Sequence, residues 1–359
     1  MSKVVFILGA GCSQECGAPL MADFLDIAYN LRITGQVNNV AEHFDRVFKA
    51  IVGLQSVHSK SQLDITNIES IFNAFEIANT LNKLPTFTSQ EIPQVVNSLK
   101  KVIVSTLEKT VKFPTSGGRI DAPFAYGPLA YLVDQIREKA RTKYTVSIMT
   151  FNYDIAMDIA MFRYGLGVNY CFDNVDSPGS VPLLKLHGSL NWAAKSGDGQ
   201  IIPLTISQYF QKYNLPELFD GKYCTLPIGS QLSEYFQKYT DIIITNEPVI
   251  VPPSWNKAEY HSTLSKVWNR AAKELTDAEY IFILGYSLPE TDAFFRLLYA
   301  LGTVGNNPLK KIEIYNPENS GQTKKRFEDI IGPGAKARFK YYPTRFSDAI
   351  SLITPYFPV

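Results

Sequence analysis

Cysteine is scarce in this chain, and so is net charge. Four cysteines, Cys12, Cys16, Cys171 and Cys224, are spread over 359 residues with no Cys-x-x-Cys pair. That spacing excludes a disulfide framework and a zinc ribbon and points to a reducing, cytoplasmic compartment. Lys and Arg number 35 against 34 Asp and Glu, a net charge of +1. No bulk basic charge is available to hold a phosphate backbone, so no direct nucleic-acid partner is indicated. No apolar run approaches the roughly 18 residues of a membrane helix, and the apolar stretch near 280–286 is strand-sized. The opening MSKVVFILGAGC carries one Lys and five strong apolar residues before its glycines begin, and reads as a first strand rather than a signal.

What is present is a globular composition, 45% hydrophobic and 19% charged. The length allows two domains or one large domain with insertions. Short β-branched runs at 4–8, 146–150, 183–186, 249–251, 280–284, 311–315 and 337–341 alternate with helical patterns. Such alternation predicts an α/β fold, a doubly wound, Rossmann-like parallel sheet with helices on both faces. Several runs are apolar nearly throughout, as strands buried on both sides should be.

Two stretches interrupt that rhythm, giving a single domain over 1–359 with insertions at 31–113 and 194–240. In the first, Val40, Phe44, Val47, Phe48 and Ile51, then Ile68, Ile71, Phe72 and Phe75, then Val95, Leu99, Val102 and Ile103 follow helical spacing. Three helices are expected there. The second holds two similar segments, SQYFQKY at 207–213 and SEYFQKY at 233–239. One pair is too few for a solenoid; the segments read as two helices packed on the sheet or as an aromatic surface for self-association.

Polar residues collect just after the strands. The run 4–8 leads into Gly9-Ala10-Gly11-Cys12-Ser13, with Gly17 and Pro19 following. Glycines at a strand-to-helix turn let a backbone approach a pyrophosphate, although a tight turn without ligand explains them as well. The dehydrogenase fingerprint G-x-G-x-x-G is not met, because Gln14 stands at its third glycine. Phe151-Asn152-Tyr153-Asp154 closes the second run, and its Asn and Asp suit either helix capping or chemistry. Lys185-Leu186-His187-Gly188-Ser189 follows the third. The other histidines, His43, His58 and His261, lie on helical or loop stretches. Gly285-Tyr286-Ser287 offers ligand candidates in Gly285 and Ser287, while Ser287 and Glu290 have the spacing of a capping box. Asn316, at the end of 311–315, suits an adenosine ribose. These strand ends should converge on one edge of the sheet. Cys12 and Cys16 have no further ligand nearby in sequence and read as small buried residues.

Taken in order, these motifs resemble the sirtuin superfamily, and more closely its divergent bacterial branch of sirtuin-like NAD hydrolases used in antiphage defence. The resemblance implies that Gly9, Ala10, Gly11 and Ser13 hold the NAD phosphates. It assigns Asn152 and Asp154 to the nicotinamide-side ribose and pocket, and makes His187 the catalytic histidine. Gly285, Ser287 and Asn316 complete the dinucleotide site, with Gly17, Pro19 and Phe151 beside it. Protein deacylases of the superfamily carry two Cys-x-x-Cys pairs after their L-H-G motif; here the YFQKY segments and Cys224 occupy that region, which implies no zinc. Their F-G-E motif is replaced by Pro252-Pro253-Ser254, which lacks the donors for pairing with a peptide strand. Phe151 stands where they have Gln, and Pro19-Leu20-Met21 where they have Pro-Asp-Phe-Arg.

The resemblance therefore implies cleavage of NAD, as substrate, to nicotinamide and ADP-ribose. Nicotinamide leaves without acid help, and His187 accepts a proton. A protein deacylase or ADP-ribosyl transferase, and a silent NAD or ADP-ribose-binding module, are the alternatives. A dehydrogenase is disfavoured by the incomplete fingerprint. An unrestrained NAD hydrolase poisons its own cell, and the chain leaves no room for a sensor domain. The expectation is a homo-oligomer with an activating partner in trans, an ATPase or other sensor, contacted by the helical insertion and the YFQKY segments.

Overall fold

Residues 1–55, 63–173, 178–213, 219–245, 247–251, 261–290, 292–304 and 307–357 are described by the structure, a computed structural model. Its centre is a seven-stranded sheet, with strands numbered here in chain order. They are β1 (Ser2–Leu8), β2 (Tyr144–Thr150), β3 (Gly167–Asn169), β4 (Ser180–Lys185), β5 (Ala278–Leu284), β6 (Lys311–Tyr315) and β7 (Phe339–Tyr342). Across the sheet they run β7-β6-β5-β1-β2-β4-β3, and every neighbouring pair is parallel.

The apolar run of β1 has a direct structural reason. Val4, Phe6 and Leu8 point into one core and Val5 and Ile7 into the other, and all five are fully buried. A strand covered on both faces needs apolar residues at every position. Each such side chain contributes about 1.5–3 kcal/mol through burial. The helices Tyr126–Lys139 and Phe346–Ile353 close the first face, with Leu129, Val133 and Ile350 in its core. On the other face His261–Asp277 and Ala293–Gly302 supply Val267, Ala271, Phe295 and Leu298. The fold is thus α/β with a doubly covered parallel sheet.

Two expected strands need correction. Segment 249–251 is buried, yet it forms no strand of the sheet, and Ile250 makes only an isolated antiparallel bridge to Gly188. Its apolar run records burial, not sheet pairing. The seventh place belongs to β3, whose sequence Gly-Val-Asn carries almost no pattern. The last strand starts two residues later than expected, because 337–338 belong to the 3-10 turn Pro333–Arg338.

The helical insertion forms Ala41–Gln55, Ile68–Leu81 and Ile92–Thr110. Asn67 starts the second of these by accepting the Glu69 N–H on its side chain, and Asn82 ends it in the left-handed conformation, φ 50°. Phe44, Phe72, Phe75, Leu99 and Val102 are buried and join the first core. In the second insertion the YFQKY segments form Ile206–Lys212 and Leu232–Tyr239. Their rings pack on one another, Tyr209 on Tyr213 at 4.7 Å and Tyr213 on Tyr235 at 6.3 Å. A hairpin, Phe113–Ser116 with Arg119–Ile120, turns through Gly117 and Gly118, both at positive φ (57° and 73°), as a type I′ turn requires. Among the described residues no helix is long and apolar enough to cross a membrane.

The chain leaves β1 for β2, runs to the edge at β3, comes back to fill the place between them at β4, and then crosses to the opposite side of β1 at β5. The order therefore reverses between β1 and β5. Open α/β sheets take their ligands outside the carboxyl ends of the strands at such a point.

Candidate functional site

At that reversal the turn after β1 lies against the turn after β5. Gly9 N–H donates to the Leu284 carbonyl (2.9 Å) and Gly11 N–H to the Gly285 carbonyl (2.8 Å). A Cβ on Gly9 would lie 2.5 Å from Tyr286 Cα, and one on Gly11 would lie 2.8 Å from the Gly285 oxygen. Gly285 itself sits at φ +59°, with space for a Cβ closed by the Cys12 nitrogen at 2.5 Å. The three glycines are thus required for backbone-to-backbone contact whether or not a phosphate binds there. Gly17, at φ +94°, is likewise pressed against the Thr110 carbonyl. Cys12 donates its thiol to the Leu284 carbonyl, and burial pushes the Cys16 thiol up to about 12.

Asn152, just past β2, ties this turn to its neighbours. Its Nδ2 donates to the Gly9 carbonyl (2.9 Å), Ser13 Oγ (2.9 Å) and the Tyr126 hydroxyl (3.2 Å). The Gly9 carbonyl can only accept, so the amide nitrogen must face it and Oδ1 is turned the other way. Ser13 Oγ donates to Asp154 Oδ2 (2.6 Å) and lies 2.7 Å from the Tyr126 hydroxyl. Asp154 Oδ1 accepts the N–H of Ala156, the first residue of the helix Ala156–Arg163 (2.9 Å). Burial raises the Asp154 pKa, against the lowering effect of Ser13 and the Ala156 N–H.

Phe151 joins three strand ends. Its ring stacks on Tyr286 at 4.3 Å and meets His187 at 5.2 Å and Phe295 at 5.2 Å. The Tyr286 hydroxyl donates to Asp292 Oδ2 (2.6 Å), and Asp292 Oδ1 accepts the Phe295 N–H, capping the helix Ala293–Gly302. Asp292, and not the Ser287–Glu290 pair, is therefore the cap. His187 is 3% exposed, two residues beyond β4. Its carbonyl accepts the Val251 N–H, and Gly188, at φ +87°, allows the Val249 carbonyl to pass where a Cβ would stand.

Behind the strand ends lies a buried ion pair. Lys185 Nζ donates to Asp158 Oδ2 (2.8 Å) and to the Asp154 carbonyl (2.7 Å), with both side chains sealed from solvent. Tyr170 donates its hydroxyl to Asp158 Oδ1 (2.5 Å) and accepts from Asn191 Nδ2 (2.9 Å). A buried charge is tolerated only when its lone pairs and protons are met in this way.

Two cavities flank the single helical turn Ala10–Gln14 that follows β1. The first is narrow, about 40 Å³, and Ala10, Ser13, Pro19, Phe151, Asn152 and Asp154 line it. The second, of about 300 Å³, is bounded by Gly11, Gln14, Glu15, Gly285, Pro317 and Arg345. His187 stands one ring away from the first, against Phe151. Asn316 turns its Oδ1 to the Glu318 N–H (3.0 Å), next to Pro317 of the second cavity. Ser287 accepts on its carbonyl from Arg326 (3.4 Å). His43 bonds Ser98 on the helical insertion, away from the strand ends. His58, Thr291 and 252–254 lie outside the described residues.

Sequence reasoning missed Tyr126, Glu69 and the apolar wall formed by Met21, Phe24, Ile68, Phe72, Ile103 and Leu107. The helical pattern exposed that wall only as core. Tyr126 carried no usable signal, being 113 positions from the serine it contacts.

No family model and no curated protein matches the sequence. Among solved structures the chain is similar to a mutant Sir2 homologue in complex with ADP-ribose, at 14% identity and a TM-score of 0.44, covering 99% of this chain and 91% of that one. It is similar to a Sir2 homologue in complex with NAD at 13% and 0.43, covering 99% and 89%. For Sir2 bound to acetylated peptide the values are 13% and 0.38, covering 99% and 92%.

Proposed function

We propose that this chain is an NAD+ glycohydrolase, splitting NAD+ into nicotinamide and ADP-ribose. The observation that carries the reading is the position of the 10–14 turn between two cavities. Ala10 and Ser13 line one side, Gly11 and Gln14 the other. A dinucleotide laid across that turn puts its nicotinamide half against Phe151 and Asn152 and its adenosine half beside Pro317 and Arg345. Of the strand-end motifs, Ala10 to Ser13, Phe151 to Asp154 and Gly285 border this path, while His187 stands behind Phe151 and Asn316 beside Pro317.

Cleavage breaks the bond between ribose C1′ and the pyridinium nitrogen, and the electron pair returns to the ring as nicotinamide leaves. The sugar becomes oxocarbenium-like and water adds to C1′. Asn152, its amide nitrogen committed to the turn, offers Oδ1 to the ribose or the water. His187 takes the water's proton. Asp154 acts through Ser13 by holding the turn. A role in antiphage defence, with activity governed by self-assembly or by a partner protein, belongs to the same reading.

The test is to incubate the purified chain with NAD+ alone, over a series of protein concentrations, and to quantify nicotinamide and ADP-ribose by chromatography. Equal release of both supports the proposal. Release that requires an acylated peptide or a protein acceptor replaces it with a deacylase or transferase, and binding without consumption replaces it with a sensing module.

A further inference from the structure

Among the described residues, the walls of the two cavities hold a single Lys or Arg. The narrow cavity carries the carboxylates Glu69 and Asp154 and no cation, and the wider one carries Glu15 and Arg345. The backbone fixes where Arg345 stands. Just before it the Thr344 N–H donates to the Tyr342 carbonyl (2.8 Å), and its own carbonyl accepts the Ala349 N–H (3.0 Å) where the helix Phe346–Ile353 begins. Glu15, the opposite charge of the same cavity, is turned to that helix, its Oε1 accepting the Ser347 N–H at 3.2 Å. The Arg345 side chain is exposed and, among the described residues, makes no hydrogen bond and no ion pair. Its guanidinium is left for an anion that the cavity receives.

Gly11 and Gly285, through which the turns after β1 and β5 touch, lie in the same wall as Arg345. A dinucleotide laid across the 10–14 turn brings its diphosphate past Gly11. That group carries two negative charges, and without Arg345 the charged side chains along the path would all be carboxylates. The chain as a whole offers no compensating field, its net charge being +1. A guanidinium presents a planar fork of N–H donors that fits two phosphate oxygens at once. We propose that Arg345 is the residue that binds the diphosphate of the dinucleotide, holding it from the wider cavity against the glycine turns. The inference rests on the dinucleotide reading given above.

A kinetic consequence separates this role from a catalytic one. The diphosphate keeps its charge and its bonds while the glycosidic bond breaks. Arg345 therefore holds substrate and transition state alike, lowering KM and leaving kcat as it is. The ion pair forms at an exposed side chain, so added salt weakens it.

The experiment uses the full chain, Arg345→Gln and Arg345→Lys, titrated by calorimetry with NAD+ and ADP-ribose at low salt and at about 1 M sodium chloride, with steady-state cleavage of NAD+ alongside. At low salt Arg345→Gln should bind both ligands about tenfold more weakly, as loss of one charge-assisted contact implies. At high salt the gap should close to about twofold. Its KM should rise by the same factor with kcat unchanged. Its thermal midpoint should not move, since the side chain has no partner in the fold to lose. Arg345→Lys, which keeps the charge, should retain most of the affinity. An Arg345→Gln variant that binds ADP-ribose like the wild type overturns the inference alone. So does a loss that ignores salt, which marks packing rather than charge, or a fall in kcat at constant KM. A wild type that binds neither NAD+ nor ADP-ribose overturns the dinucleotide reading and this inference with it.

Discussion

The side-chain amide of Asn152 donates to the backbone carbonyl of Gly9 at 2.9 Å, so a residue at the end of β2 sets the shape of the turn after β1. Asn152→Asp replaces that donor with an acceptor facing an acceptor, on the buried side of the residue. We expect it to cost about 1–3 kcal/mol more stability than Asn152→Ala, which removes both. Chemical denaturation of the two variants checks this, and equal stability would show that the contact does not direct the turn. Neither variant should release nicotinamide.

His187→Ala separates chemistry from binding. Loss of a general base lowers turnover by about 10²- to 10⁴-fold. In the proposed function the pyrophosphate lies across the 10–14 turn, away from His187, so NAD+ affinity by calorimetry should stay within a few-fold. Wild-type nicotinamide release by this variant removes His187 from the mechanism.

Gly285 and Gly117 share a left-handed backbone, φ +59° and +57°, but a Cβ on Gly285 meets the Cys12 nitrogen at 2.5 Å and one on Gly117 meets nothing within 4 Å. Alanine at Gly117 should cost about 1–2 kcal/mol, the backbone penalty alone. Alanine at Gly285 should exceed that by about 1–3 kcal/mol, since the two turns must separate. Similar urea midpoints for the two variants would contradict the close contact.

Glu108 gives stability a pH dependence. Its carboxylate is buried and accepts from the Ser230 N–H and hydroxyl, yet burial lifts its pKa from an ordinary 4.5 to about 7. A carboxyl raised on folding prefers its protonated form in the native state. Its contribution is whole below about pH 4.5 and is lost as pH rises through about 7. The stability of the wild type relative to Glu108→Gln should therefore fall by about 3 kcal/mol between those limits. A difference that stays flat with pH would dismiss the effect.

Much of the sheet was legible because strands buried on both faces leave unbroken apolar runs, as in β1 and β5. The same signal misled at 249–251, where the run reports burial under the His187–Gly188 turn, and it failed at β3, where three residues of mixed character complete the edge. The helical insertion was legible as three helices from its spacing. That Ile68 and Phe72 wall a cavity was not, because periodicity distinguishes buried from exposed faces and says nothing of an empty space on the buried side. The strand-end motifs identified where polar groups collect. The partners of Asn152 and Ser13 stayed hidden, since hydrogen bonds to a tyrosine on another helix leave no spacing to read.

The pairing of Lys185 with Asp158, extended through Tyr170 to Asn191, has a bearing on how this protein can change. Remove any one of the four and its neighbour is stranded in the interior with an unmet charge or donor. Drift at these positions must come in linked steps, so residues 158, 170, 185 and 191 are to be inherited as a set or exchanged together for an apolar filling.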